Sequence, residues 1–209
     1  VFPIAVFGAM VLGIAASWYW SGAMRLRRAL RAAPRAPIAE VREGAVVRID
    51  GRVAEGETLV APLTGRRCVY YVAVVERSVR NGWHQCVRET RGVPFAIDDG
   101  TGRAIVDPAS ARIDVDLDAT SRSGGIDAAA IDEAFRMRNF LNRMAAARLR
   151  YREGVVEVGQ PVAVLCQPVR EADPDAAAHA TGYRADPPTR LRVGGSAKHP
   201  LLVSGSRKL

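Results

Sequence analysis

LVAPLTGRRCVYYVAVVERSV (Leu59–Val79), NGWHQCVRETRG (Asn81–Gly92) and VPFAIDDGTGRAIVDP (Val93–Pro108) decide the fold. Within CVYYVAVVERSV both alternating sets are apolar: Cys68, Tyr70, Val72 and Val74 on one side, Val69, Tyr71, Ala73 and Val75 on the other. A strand apolar on both faces is covered on both, which places it inside a sheet rather than at its edge. Asn81-Gly82 is a strong hairpin signal and reverses the chain into WHQCVRETRG. Pro94 opens a further strand with Phe95 and Ile97, and DDGTG at Asp98–Gly102 turns it into RAIVDP, a second hairpin.

Upstream, Val47, Ile49, Gly51 and Val53 alternate with their neighbours at the period of a half-buried strand. EGE at Glu55–Glu57 and PLTG at Pro62–Gly65 read as turns. Downstream, the spacing predicts a helix over about 127–150, with Ile131, Phe135 and Met144 on one stripe joined by Phe140 and Leu141. Asp127 suits its N-cap, and Arg148, Arg150 and Arg152 suit the negative end of its dipole. GVVEV (Gly154–Val158) and PVAVLCQPV (Pro161–Val169) follow as strands joined by a tight GQP turn. The expected fold is mainly β (α+β): an OB-like small β-barrel over 44–169 with one amphipathic helix between its third and fourth strands. A sandwich-like α+β domain is the alternative. Residues 170–188 read as a Pro/Ala/Asp-rich linker, and TRLRV (Thr189–Val193) with PLLVS (Pro200–Ser204) as a final hairpin and tail.

The segment before the β domain has a different character. Val1 to Ala23 carries no charge, and at ~1.5 Å rise per residue it is about 34 Å long, enough to cross a hydrocarbon core. Trp18, Tyr19 and Trp20 form an aromatic belt at its end, and Arg25, Arg27, Arg28, Arg31 and Arg35 follow directly. The expectation is a transmembrane helix, a basic juxtamembrane segment over 24–43 broken at Pro34 and Pro37, and a soluble domain on the cytoplasmic side. The first partner implied is therefore the lipid bilayer, with the juxtamembrane arginines against anionic headgroups. The net charge of +8 rests almost wholly on arginine, Lys198 and Lys208 being the only lysines. Genomic bias toward arginine accounts for much of that excess.

Catalytic chemistry is hard to place on this chain. No G-x-S-x-G elbow and no phosphate loop occurs. The carboxylates Asp98 and Asp99, and Asp114, Asp116 and Asp118, sit in a turn or alternate along a strand, where solvation is their ordinary state. Cys68, His84 and Cys86 are zinc-type ligands without CxxC spacing or a visible fourth member, so a buried thiol and a surface imidazole are the simpler reading. Tyr71, Trp83, His84 and Arg88 form the candidate partner-binding surface. An OB barrel also binds single-stranded nucleic acid through aromatics in a basic groove. Tyr70, Tyr71, Trp83 and Phe95 with Arg67, Arg77, Arg80 and Arg88 offer those residue types, although core packing explains most of the aromatics. No catalytic residue, metal or cofactor is expected, and the partner is expected to be an unidentified protein, with nucleic acid a lesser alternative.

The ordered set PLTGRRCVYY, Trp83, VPFAIDDGTG and RYREGVVEVGQPVAVLCQP resembles the GIDE domain, also called the BAM ("beside a membrane") domain. The positions that match are Cys68, Tyr70, Tyr71, Trp83, Pro94, Phe95, Asp99, Gly102, Glu153 and Gly159. The resemblance spans roughly residues 41–204. It implies a membrane protein of the kind found in bacteria and in mitochondrial ubiquitin ligases, a second membrane helix after Leu209, and a link to ubiquitin transfer. In those ligases a RING with eight Cys/His zinc ligands carries the activity, and this chain has three Cys and three His in all. The resulting expectation is a membrane-anchored interaction or scaffold module, with a RING-type ligase whose catalytic module lies outside these residues as the alternative.

Overall fold

The computed structural model describes residues 22–117, 119–122, 148–172, 189–194 and 200–205. Five strands close a barrel. These are β1 (Val47–Val53), β6 (Phe95–Asp98), β7 (Arg103–Val106), β11 (Pro161–Ala172) and β12 (Thr189–Gly194). Neighbours run β1-β6-β7-β12-β11, and β11 returns to pair with β1 from Val47 opposite Cys166 to Arg52 opposite Pro161. In barrel count the order is first, second, third, fifth, fourth, first, and the third and fifth strands are parallel. That Greek-key closure is the OB arrangement, and it removes the free edges of the sheet.

Two excursions leave the barrel. Between β1 and β6 come the short β2 (Leu59–Val60) and β3 (Arg67–Cys68), then the long hairpin of β4 (Tyr70–Val79) and β5 (Gly82–Gly92). Between β7 and β11 come β8 (Ala111–Asp114), β9 (Ala119–Arg122) and β10 (Leu149–Val156). The outer strands form a second sheet in the order β5-β4-β10-β9. The doubly apolar strand is thus internal, as its composition requires, but it belongs to this outer sheet and not to the barrel. One of its faces sends Val72 and Val74 into the barrel core beside Ile49, Ile97, Val106 and Val164, while Tyr71, Ala73 and Val75 build a second core with Tyr151 and Val155. Each such side chain, once fully buried, contributes about 1.5–3 kcal/mol.

Leu149 and Arg150 lie in β10, not at the end of a helix. LRYRE alternates Leu149, Tyr151 and Glu153 onto one buried face, a period of two that a strand satisfies and a helix does not. The remainder of the expected helix, 127–147, lies outside the described residues. Of the linker expected over 170–188, Arg170, Glu171 and Ala172 instead continue β11 and pair with β12, and 173–188 lie outside the described residues. The two C-terminal segments, expected to pair as a hairpin, each add to β11 instead. β12 extends its outer half, and β13 (Leu201–Ser204) pairs with its first half and with β8.

The described chain opens with helix α1 (Gly22–Ala32). Its Leu26 and Leu30, one turn apart, are buried against Ala163 and Leu202 on the outside of the barrel. The expected span Val1–Ala23 lies outside the described residues except for Gly22 and Ala23, which begin α1. No helix among the described residues is long and apolar enough to cross a membrane. The chain leaves α1 at Pro34, as the sequence suggested, and runs alongside β1: the Pro34 carbonyl accepts from the Arg48 N–H at 2.8 Å, and the Ala36 N–H donates to the Arg48 carbonyl at 3.1 Å.

A clasp in the β6–β7 turn fixes the next stretch. Asp99 accepts from the Ile38 N–H (2.7 Å), the Thr101 N–H (2.8 Å), the Thr101 hydroxyl (2.7 Å) and the Gly102 N–H (3.1 Å). Gly102 is required there, because a Cβ on it would stand 2.9 Å from Ile38 Cγ2. Burial alone would push the Asp99 carboxyl up, but the hydrogen bonds from Ile38, Thr101 and Gly102 outweigh it and hold the group below the usual carboxylate range. The clasp is therefore complete above the unfolded carboxyl value of about 3.9, and its contribution disappears as pH falls through the lower folded value. Asp99→Ala should cost about 2 kcal/mol at neutral pH and flatten the acid limb of the stability profile. Urea midpoints measured from pH 7 down to 3 check this, and an acid limb unchanged by the substitution would contradict the clasp.

Candidate functional site

The fold separates two ends. At the first, a continuous run of contacts joins α1, the last described residues and the β10–β11 turn. Arg27 Nε lies 3.3 Å from an Asp114 carboxylate oxygen and its Nη2 3.4 Å from Asp116. The Asp114 carbonyl accepts from the Gly205 N–H at 3.0 Å. The Gly205 carbonyl accepts from the Gln160 amide at 2.7 Å, and the Gln160 side-chain oxygen accepts from the Glu157 N–H at 2.9 Å. The chain arriving through α1 and the chain leaving past β13 thus stand side by side at one end of the barrel. Gly159 makes the turn possible with a φ of 79°.

α1 is seated firmly at this end. Arg48, 6% exposed, donates through Nη1 to the Leu30 carbonyl at 3.2 Å and through Nε to Asp50 at 2.7 Å. It thereby satisfies a carbonyl at the C-terminal end of the helix that has no intrahelical partner. Sequence reasoning missed this arginine, although a charge on the buried side of VVRID was the signal available. It also missed the pairing of Arg27 with Asp114 and Asp116, which were read as solvated. Of the arginines expected beside a membrane, Arg25 is exposed, Arg27 is held by those aspartates, and Arg28 Nε reaches the Met24 carbonyl at 3.4 Å. Trp18, Tyr19 and Trp20 lie outside the described residues.

Beside the turn is a cleft of about 630 Å³ lined by Glu55, Thr58, Arg66, Arg67, Glu157 and Val158. Arg66 Nη1 is 3.8 Å from Glu157, and Arg67 donates to the Thr58 hydroxyl at 3.2 Å. Two of the few exposed large apolar side chains, Val60 and Val158, belong to the same region: Val158 lines the cleft and Val60 is paired with Arg67. The hairpin that carries Arg66 and Arg67 is held from below by Glu153, which is fully buried. Its carboxylate accepts from the Leu63 N–H at 2.9 Å, the Thr64 N–H at 3.1 Å and the Thr64 hydroxyl.

The second end is the tip of the β4–β5 arm. Val156 at the first end is paired with Tyr70, and β4 then runs ten residues to Val79, a length of about 30 Å. The four proposed contact residues divide between the faces of this arm. Tyr71 and His84, on the face of Arg91 and Arg77, look one way, and Trp83 and Arg88, opposite Ser78 and Val74, look the other. Tyr71 is buried, with its hydroxyl donating to Glu89 at 3.1 Å. Burial first, and then Glu89, push its phenol up to about 12. Trp83 is half-buried under Arg150, whose guanidinium carbon is 4.4 Å from the ring centroid and whose Nε donates to Glu76 at 2.6 Å. His84 and Arg88 are exposed. Tyr70 and Phe95 lie in the core, as packing predicted.

The zinc-type residues are spread out as well. Seven residues of β4, about 23 Å, separate Tyr70 from Arg77, which pairs with His84, and Cys68 lies beyond Tyr70. Cys86 Sγ faces the His84 carbonyl at 3.6 Å. Burial, with help from Glu153, pushes the Cys68 thiol up to about 11, and burial pushes Cys166 to about 12, so both are neutral hydrophobes at physiological pH. Among the described residues no three His, Cys, Asp or Glu side chains gather as a metal site.

Residues 72–175 match the family model GIDE, described as E3 Ubiquitin ligase. No curated protein and no solved structure matches the chain. The matched stretch runs from within β4 past the end of β11 and includes Trp83, Asp99, Glu153 and Gly159, four of the positions that the residue pattern had singled out. The chain carries a GIDE domain.

Proposed function

We propose that this chain is a membrane-anchored interaction module of the GIDE type, with its barrel standing at the bilayer and its β4–β5 arm reaching into water for a protein partner. The observation that carries the reading is the seating of α1, clamped by Leu26, Leu30, Arg27 and Arg48. The uncharged stretch ends where α1 begins, so a helix continuing from the bilayer would hold the barrel at a fixed attitude. The module has no chemistry of its own in this reading; its work is to place a partner about 30 Å from the membrane surface.

Alkaline carbonate extraction of membranes carrying the full chain tests the anchor. The chain should stay in the membrane pellet, while a Gly8→Arg/Gly13→Arg variant, each charge costing about 2.5–3.5 kcal/mol in a helix centre, should be released. Release of the unaltered chain would overturn the anchor. A second reading is favoured by the description of the matching family: the domain serves a ubiquitin-transfer protein. Because that reading puts the catalytic module outside these residues, the test uses the natural full-length protein: discharge of ubiquitin from a charged conjugating enzyme on its addition would support the reading, and no discharge would leave the interaction module alone.

A further inference from the structure

We infer that the cleft between the β2–β3 hairpin and the β10–β11 turn is a binding site for a zwitterionic phospholipid headgroup of the phosphoethanolamine type. The inference rests on the membrane-anchored reading and adds to it a ligand and the residues that hold it.

The cleft brings opposite charges together without cancelling them. Arg66, Arg67, Glu55 and Glu157 all line it. Arg66 and Glu157 approach no closer than 3.8 Å, and their side chains remain 39% and 42% exposed. A guanidinium has five N–H donors in a planar fork. Arg66 directs one toward the Thr64 hydroxyl at 3.2 Å and Arg67 one toward Thr58 at 3.2 Å, which leaves donors for a phosphate. The carboxylates of the same lining suit a primary ammonium, which donates three hydrogen bonds. Phosphoethanolamine joins those two groups through two carbons. Choline, with no N–H, offers the carboxylates nothing to accept, and an anionic glycerol headgroup meets them with repulsion.

Position selects a lipid over a free metabolite. Glu157 is tied through Gln160 and Gly205 to Asp114, and through Asp114 to Arg27 of α1. The cleft therefore opens at the end where the chain comes in from its uncharged segment. Exposed Val60 and Val158 at its border, 66% and 37% accessible, would meet the upper acyl region and would be wasted on a soluble ligand. The β2–β3 hairpin is also no loose flap, since Glu153 fixes its turn from below.

The test is native mass spectrometry of the full chain in detergent, titrated separately with phosphatidylethanolamine, phosphatidylcholine and phosphatidylglycerol. Phosphatidylethanolamine should be retained about tenfold more tightly than either of the others. Arg66→Ala/Arg67→Ala should abolish that preference. Glu55→Gln/Glu157→Gln, which keeps shape and alters only charge, should reduce it about tenfold and so bring phosphatidylcholine level. Circular dichroism confirms that each variant is folded. Equal retention of the three lipids, or a preference untouched by both variants, overturns the site while a carbonate-resistant chain still stands as membrane-anchored. Equally tight binding of soluble phosphoethanolamine would overturn the lipid assignment.

Discussion

Glu153→Ala is expected to destabilise the chain by about 3–4 kcal/mol, read as a lower urea midpoint at unchanged slope. The carboxylate is fully buried and receives two backbone N–H groups and one hydroxyl from Leu63 and Thr64. Deleting it breaks those charge-assisted bonds and leaves a void beneath the hairpin, above a core of Tyr71, Ala73, Tyr151 and Val155, so lost bonds and a cavity add together. Glu153→Gln keeps the volume but turns an NH2 toward N–H groups, so it should cost about 2–3 kcal/mol. The β2–β3 hairpin should then exchange its amide hydrogens faster than the barrel does. A Glu153→Ala protein within 1 kcal/mol of the parent, by the same scale, would show that the latch holds nothing.

Leu30→Ala should cost about 3 kcal/mol, within the range of about 2–5 for a buried leucine. Leu30 is wholly buried between α1 and β11, and its carbonyl is the one that Arg48 satisfies. The void weakens the seat of α1 while the barrel core of Ile49, Ile97 and Val164 is untouched. The loss should therefore appear as early exchange confined to residues 24–35, with β1 and β11 still protected. Global unfolding in one step with the parent's exchange pattern would contradict a separately seated helix.

Much of this architecture was legible in the residues, for identifiable reasons. Asn81-Gly82 and DDGTG are local turn signals, and both hairpins lie where they point. The barrel's β1, β6, β7 and β11 alternate or run apolar in ways that need no partner information. Sheet membership was another matter. The doubly apolar β4 is equally consistent with a barrel strand and with an outer sheet buried on both faces; only the long-range pairing with β10 decides. RLRYRE followed a helical stripe in sequence, and its own alternation, now explained by Arg150 over Trp83 and Tyr151 in the second core, was outweighed. Glu153, Asp99 and Gly102 stood out as part of a family pattern without a mechanism. The structure supplies one: a latch, a clasp and a close approach. The cleft and the Arg48 staple were illegible, because each joins residues that only the closed barrel brings together.

In the proposed membrane-anchored arrangement the α1–Gly205 end would face the bilayer and the β4–β5 tip would point away. Nitroxide labels on the full chain in vesicles, at Val158 and at Asn81 in a background with Cys86 replaced, test it through oxygen and nickel-chelate accessibility. The label at Val158 should sit at headgroup depth, shielded from the chelate, and the label at Asn81, about 30 Å along β4, should be fully aqueous. Equal exposure of both labels to the chelate, or a buried Asn81 with an aqueous Val158, would contradict the account.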